Sequence, residues 1–164
     1  MNIITARFGE IDVDESEILD MRAGIIGFEH LKKFVLHIQD GENPFWWLQS
    51  LDEGAIAFVV INPFVVKADY EPVIDDNDTK LLEIESAGDV VLLTIVTIRQ
   101  NPFLVSVNLR APIVVNARKK IAKQVILENM AYPVRYNLTV SGSGEEASTA
   151  GDCKKKDDCE AASL

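Results

Sequence analysis

Cysteine and histidine, the residues that build disulfide frameworks and most zinc sites, are almost missing from this chain. Its 164 residues hold two of each, and both cysteines, Cys153 and Cys159, fall in a polar stretch near the C-terminus. No disulfide framework is therefore available to the apolar part of the chain. His30 and His37 have no acid or cysteine at ligand spacing, whereas zinc takes three or four nitrogen or sulfur ligands, so a metal site is not expected. The two histidines read as exposed strand or turn residues. Cys153 and Cys159 flank Lys154 to Lys156, a charge environment that lowers a thiol pKa, but the unpatterned surroundings predict inert thiols.

The markers of common catalytic sites are also missing. No serine occupies a Gly-x-Ser-x-Gly elbow, and no glycine-rich loop joins a strand to a helix, so acyl transfer and nucleotide binding lose their usual signatures. Gly24-Ile25-Ile26-Gly27 has the spacing of an RNA-binding Gly-x-x-Gly loop, but its middle residues are apolar, and it reads as a tight, buried turn. Asp75, Asp76 and Asp78 lack the glycine and glutamate that complete a calcium loop. They suit a helix N-terminus, which favours negative charge. The chain is expected to need no cofactor and to act as a binding protein, not an enzyme.

Positive charge is scarce: 26 acids face 16 bases, for a net charge of −10. Such a field repels phosphate backbones, so direct nucleic-acid binding is not expected, and it attracts basic proteins. Long apolar runs are absent too. The longest, Val90 to Ile98, has the length of a strand, where a membrane span needs about 18 residues or more. No export leader is visible from Met1 to Phe8, which reads directly as a strand, and a cytoplasmic protein is expected.

What is present is a period of two, the spacing at which side chains alternate between the faces of a sheet. Ile11 and Val13 alternate with Glu10, Asp12 and Asp14; Phe103, Val105, Val107 and Leu109 alternate with Ser106 and Asn108; Val134, Tyr136 and Leu138 repeat the pattern. Phe45 to Leu51, Ile56 to Ile61 and Val90 to Ile98 are apolar on both faces for part of their length, as strands covered twice would be. Turn signals at Phe8-Gly9, Gly24, Gly27, Gly41, Gly54, Asn62-Pro63, Gly88, Asn101-Pro102 and Ala111-Pro112 separate the runs. One short helix is predicted after Asp76-Asn77-Asp78, running through Leu81, Leu82 and Ile84. Asn-Pro-Phe recurs at residues 43, 62 and 101 and reads as a turn whose aromatic anchors the next segment. These features predict an all-β fold, a small antiparallel β-barrel or compact sandwich with one short helix. The β-domain is expected over residues 1–140. A disordered Ser/Gly/charged tail is expected over 141–164, where small and charged residues cannot offset ordering entropy.

Several segments, in order, carry a resemblance. They are Gly24-Ile25-Ile26-Gly27-Phe28-Glu29, Pro44 to Leu51, Ala57 to Pro63, Asp69-Tyr70, Leu92 to Ile98, Val107 to Ile113 and Lys123 to Leu127. Over roughly Ile3 to Leu138 this colinear set resembles the bacterial flagellar assembly factor FliW family. The resemblance implies a cytosolic partner-switching regulator that binds flagellin before export. When flagellin is absent, such a regulator binds and antagonises CsrA, an RNA-binding translational repressor. Flagellin synthesis is thereby coupled to export. Two mutually exclusive complexes suffice for such a switch, with no catalytic residue. The alternatives are a small-molecule-binding β-barrel and a structural oligomer subunit. A net charge of −10 disfavours self-association, so a chain that is monomeric alone and heteromeric with its partners is expected.

For protein contacts, strand alternation nominates Trp46. Phe45, Trp47, Gln49 and Leu51 share one face, so Trp46, Leu48 and Ser50 take the other, read as the less buried one unless both faces are covered, and interface anchors favour Trp, Tyr and Arg. Tyr70, beside Asp69, and Asn108 and Arg110, at a strand end, are nominated from the family motifs and their loop placement. The acids Glu10, Asp12, Asp14, Glu15, Glu17 and Asp20 form a candidate acidic surface or a solvated face.

Overall fold

Tight turns divide the apolar chain into short strands, and the computed structural model, which describes residues 1–38 and 43–138, shows how they close on each other. The chain begins with a hairpin of β1 (Asn2–Thr5) and β2 (Gly9–Asp12). Thr5 Oγ1 donates to the Gly9 carbonyl and accepts from the Phe8 N–H, both at 2.9 Å, while Gly9 takes φ of 69°. A single 3₁₀ turn, Glu15–Glu17, follows, with the Asp14 carboxylate accepting from Ser16 N–H at its start. That bond holds the Asp14 carboxyl below its ordinary pKa.

The remaining strands are β3 (Leu19–Met21), β4 (Lys33–His37), β5 (Phe45–Ser50), β6 (Ala57–Ile61), β7 (Val90–Arg99), β8 (Leu104–Val107), β9 (Ile113–Asn116), β10 (Ile121–Gln124) and β11 (Tyr136–Leu138). Seven of them close a barrel in the order β3-β4-β5-β6-β7-β9-β10. The closing pair, β10 with β3, is parallel, and the other barrel pairs are antiparallel. The ten-residue β7 makes this possible. Val90–Leu93 pairs with β9 in the barrel, and Val96–Arg99 pairs outside it with β8, which in turn pairs with β11.

Period-two alternation then sorts side chains into two clusters. Met21, Phe34, Leu48, Phe58, Val60, Leu93, Ile95 and Ile113 fill the barrel. Val59, Ile61, Tyr70, Leu92, Val96, Val107 and Val114 form a second cluster on its outer side. All five residues of β6 are buried, as expected for a strand covered on both faces. Each fully buried Phe or Leu contributes about 1.5–3 kcal/mol. The predicted helix is α2 (Asp76–Leu81), where Asp75 caps by accepting from Asp78 N–H at 2.8 Å.

Some departures are local. The second Asn-Pro-Phe leads into a one-turn helix, α1 (Pro63–Val66), with Asn62 accepting from Phe64 N–H as the cap and Pro63 in the first turn. In the Gly24–Gly27 turn Ile25 is buried, but Ile26 faces solvent. Ser106, on the polar side of the β8 alternation, is also buried. The tail expected over 141–164, with Cys153 and Cys159, lies outside the described residues.

The N-terminal hairpin lies against the outer wall. Gly54, in the β5–β6 turn, accepts from Ala6 N–H at 3.0 Å and sits so close to the hairpin that a Cβ there would meet the Ile4 carbonyl oxygen at 2.0 Å. The buried Gln49 amide ties the same turn, donating to the carbonyls of Ser50, Gly54 and Ile56 at 2.9–3.1 Å. Above it, Arg7 stacks 4.0 Å from the Trp47 ring, and Phe8 packs on His37 and Trp47.

Candidate protein-binding surfaces

Three of the four nominated residues meet at one corner. The loop after α1 brings Tyr70 beneath the β8–β9 connection, where its hydroxyl donates to the Leu109 carbonyl at 2.5 Å. Burial raises the Tyr70 phenol well above its ordinary pKa, with Tyr132 adding to the effect. Asn108 Oδ1 accepts from the N–H groups of Arg110 and Ala111 at 3.2 and 3.0 Å, turning the chain. Arg110 then reaches across to the carbonyls of Tyr132 and Met130 at 2.9 and 3.2 Å. The Tyr70 and Tyr132 rings stack edge-on at 4.7 Å, and Tyr132 Oη accepts from Glu71 N–H.

Tyr70 is only 2% exposed, so its side chain builds this corner from below. Asn108 and Arg110 are half-buried, and their polar atoms are engaged with backbone. What the corner offers to solvent comes from residues the sequence reading did not nominate: Phe64, Val65, Met130 and Val134. Lys67 and Asp69 pair beside it at 3.0 Å, a contact that raises the lysine pKa and lowers that of the aspartate. Phe64 alone carried a signal, through its Asn-Pro-Phe turn. Val65 and Met130 occupy segments without periodicity, and Val134, which alternation groups with Tyr136 and Leu138, is exposed all the same, because exposure is set by what packs nearby.

Trp46 stands apart. Alternation separates it from Trp47 as expected, but the face it takes is the inner one: Trp46 packs on the barrel core and Trp47 on the outer cluster, because the sheet closes around the Trp46 side. Trp46 lines an open cavity of about 340 Å³ at one end of the barrel with Leu19, Leu36, Ile38, Val91, Leu93 and Val115, and with Glu17 and Lys120 also on its wall. The opposite end is corked by residues 25–31, where Ile25 and Leu31 are buried and Phe28 sits edge-on to Phe58 at 5.3 Å.

The charges divide unevenly. Arg118 and Lys119 of the β9–β10 turn and Arg22 after β3 pair with Glu83 and Glu85, which follow α2, and with Asp89 before β7, at 3.2–3.8 Å. Lys123 pairs with Asp78 under α2. In the acidic stretch from Glu10 to Glu17, Asp12 pairs with the N-terminal amine at 3.1 Å, while Glu15 and Glu17 have no ion-pair partner among the described residues. His30 pairs with Glu53 at 2.9 Å. No group of three potential metal ligands occurs among the described residues, and no helix there is long and apolar enough to cross a membrane.

Comparison with known proteins agrees with this architecture. The chain matches the FliW protein family over residues 2–138. It is 54% identical over 138 residues to the flagellar assembly factor FliW of Syntrophus aciditrophicus, covering 84% of this chain and 87% of that one. Identity to the FliW of Caldicellulosiruptor saccharolyticus is 44% over 131 residues, covering 80% of this chain and 86% of the relative. A crystal structure of the flagellar assembly factor FliW superimposes with a TM-score of 0.77 at 38% identity, over 87% of this chain and all of the other. With the barrel, the ordered motifs and the match over residues 2–138 in agreement, the chain belongs to the FliW family of flagellar assembly factors.

Proposed function

We propose that this chain is a cytosolic, non-enzymatic partner switch. It holds flagellin before export and, when flagellin is depleted, captures the repressor CsrA and relieves its block on flagellin synthesis. Membership of the FliW family carries this reading. The molecule has suitable properties: an acidic chain of net charge −10 and apolar side chains open to solvent at two separate places, the Phe64–Met130 corner and the barrel mouth. An acidic field speeds encounter with a cationic RNA-binding protein and discourages nucleic acid itself.

The switch requires only that the two complexes exclude each other, so that removing one partner shifts the population to the other. Titration calorimetry of the full chain against CsrA from the same organism, repeated after saturation with flagellin, tests it. Binding to CsrA that saturating flagellin abolishes is the expected result. A folded sample that binds neither protein at tens of micromolar refutes the reading.

A further inference from the structure

The two ends of the barrel are built differently. One is stoppered by the 25–31 segment, and at the other the last interior layer is left half-exposed among the described residues, with Ile38 at 56% exposure and Trp46 and Val91 only partly covered. A barrel ordinarily covers such a layer, because apolar surface left in water forfeits the free energy of burial. The cavity, about 340 Å³ and lined mainly by apolar side chains, has room for one large apolar side chain.

Its rim is charged on two sides. Glu17 stands on the wall and Glu15 lies two residues before it, neither with an ion-pair partner among the described residues, and Lys120 stands on the wall as well. From Phe8 to Met21 the chain carries six acids and no base. We propose that this open mouth is a docking site for a cationic partner protein that inserts one large apolar side chain, flanked by a lysine or arginine that meets Glu17 and Glu15. Lys120 is placed to receive a backbone carbonyl of the inserted segment. The proposal rests on the reading of the chain as a protein-binding switch. Of that reading's two partners, the RNA-binding one has the fitting chemistry, since holding phosphate requires surface bases.

The test uses the full chain with CsrA and flagellin as the probes. Ile38→Asp and Glu17→Lys alter exposed side chains, and Ile126→Asp, at a site 63% exposed elsewhere on the surface, serves as the control. Ile38→Asp and Glu17→Lys are expected to weaken CsrA binding tenfold or more, and Ile126→Asp to leave it within twofold. An independent readout needs no mouth variant. In a Trp47→Phe background the remaining emission comes from Trp46, and CsrA should shift it to the blue and shield it from acrylamide. Wild-type binding of CsrA with both mouth variants within twofold and unchanged Trp46 emission overturns the proposal while the switch stands. Weakened binding of flagellin alone overturns the cationic assignment. A wild-type chain that binds neither protein removes the switch and the docking site together.

Discussion

Removing the hydroxyl of Tyr70 should cost stability at neutral pH, and the cost should shrink in alkali. The phenol is buried, donates to the Leu109 carbonyl at 2.5 Å and has its pKa raised by burial. Tyr70→Phe leaves that carbonyl without its donor, a loss of about 1–3 kcal/mol. The pH dependence follows from linkage. Below the unfolded-state pKa of about 10, both states keep the proton and the contribution is fully present. Above it, the unfolded chain ionises while the folded phenol stays neutral, so stability falls by about 1.4 kcal/mol per pH unit until the raised folded pKa is reached. At pH 11 the wild type has therefore lost about 1.4 kcal/mol through this group, and Tyr70→Phe has lost none of it. Urea unfolding of both chains at pH 8 and pH 11 measures the difference, because the contributions of other groups cancel. A gap between wild type and variant that stays constant from pH 8 to pH 11 refutes the assignment of a buried, neutral phenol.

Three further outcomes follow from the packing. Gly54→Ala drives a Cβ to 2.0 Å from the Ile4 carbonyl oxygen, so the hairpin must move; a loss near the upper end of about 1–3 kcal/mol is expected, with faster hydrogen exchange at the Ala6 amide. Asp75→Ala removes the cap of α2 and should cost about 1 kcal/mol in urea unfolding, while Asp75→Asn keeps most of it. Lys123→Met strands the largely buried Asp78 carboxylate and should cost about 1–3 kcal/mol, and adding Asp78→Leu should recover part of that loss in the midpoint of thermal unfolding.

Strand identity was legible because it depends on local alternation and turn chemistry. The runs 45–51, 56–61 and 90–98 became β5, β6 and β7, and Asp75 to Asp78 began the one predicted helix. Alternation also placed Trp46 and Trp47 on opposite faces. The family was legible too, because its motifs occur in order along the chain. The second helical turn at Pro63 was less so: Asn-Pro-Phe suits a strand-entering turn and a capped helix equally, and only the space beside β7 separates them.

By itself, then, the sequence determined the class, the strands, the acidic balance and the family, all of which are properties of near neighbours or of composition. Closure was decided in three dimensions. The parallel β10–β3 contact joins residues about a hundred positions apart, and no local period encodes it. The same holds for the candidate binding surfaces. Tyr70, nominated as a contact, is buried because Tyr132 and Leu109 arrive from distant segments to cover it, and the mouth beside Trp46 stays open because nothing comparable to residues 25–31 closes that end among the described residues. Exposure is a property of what the rest of the chain brings to a residue, so it is settled only when the tertiary contacts form.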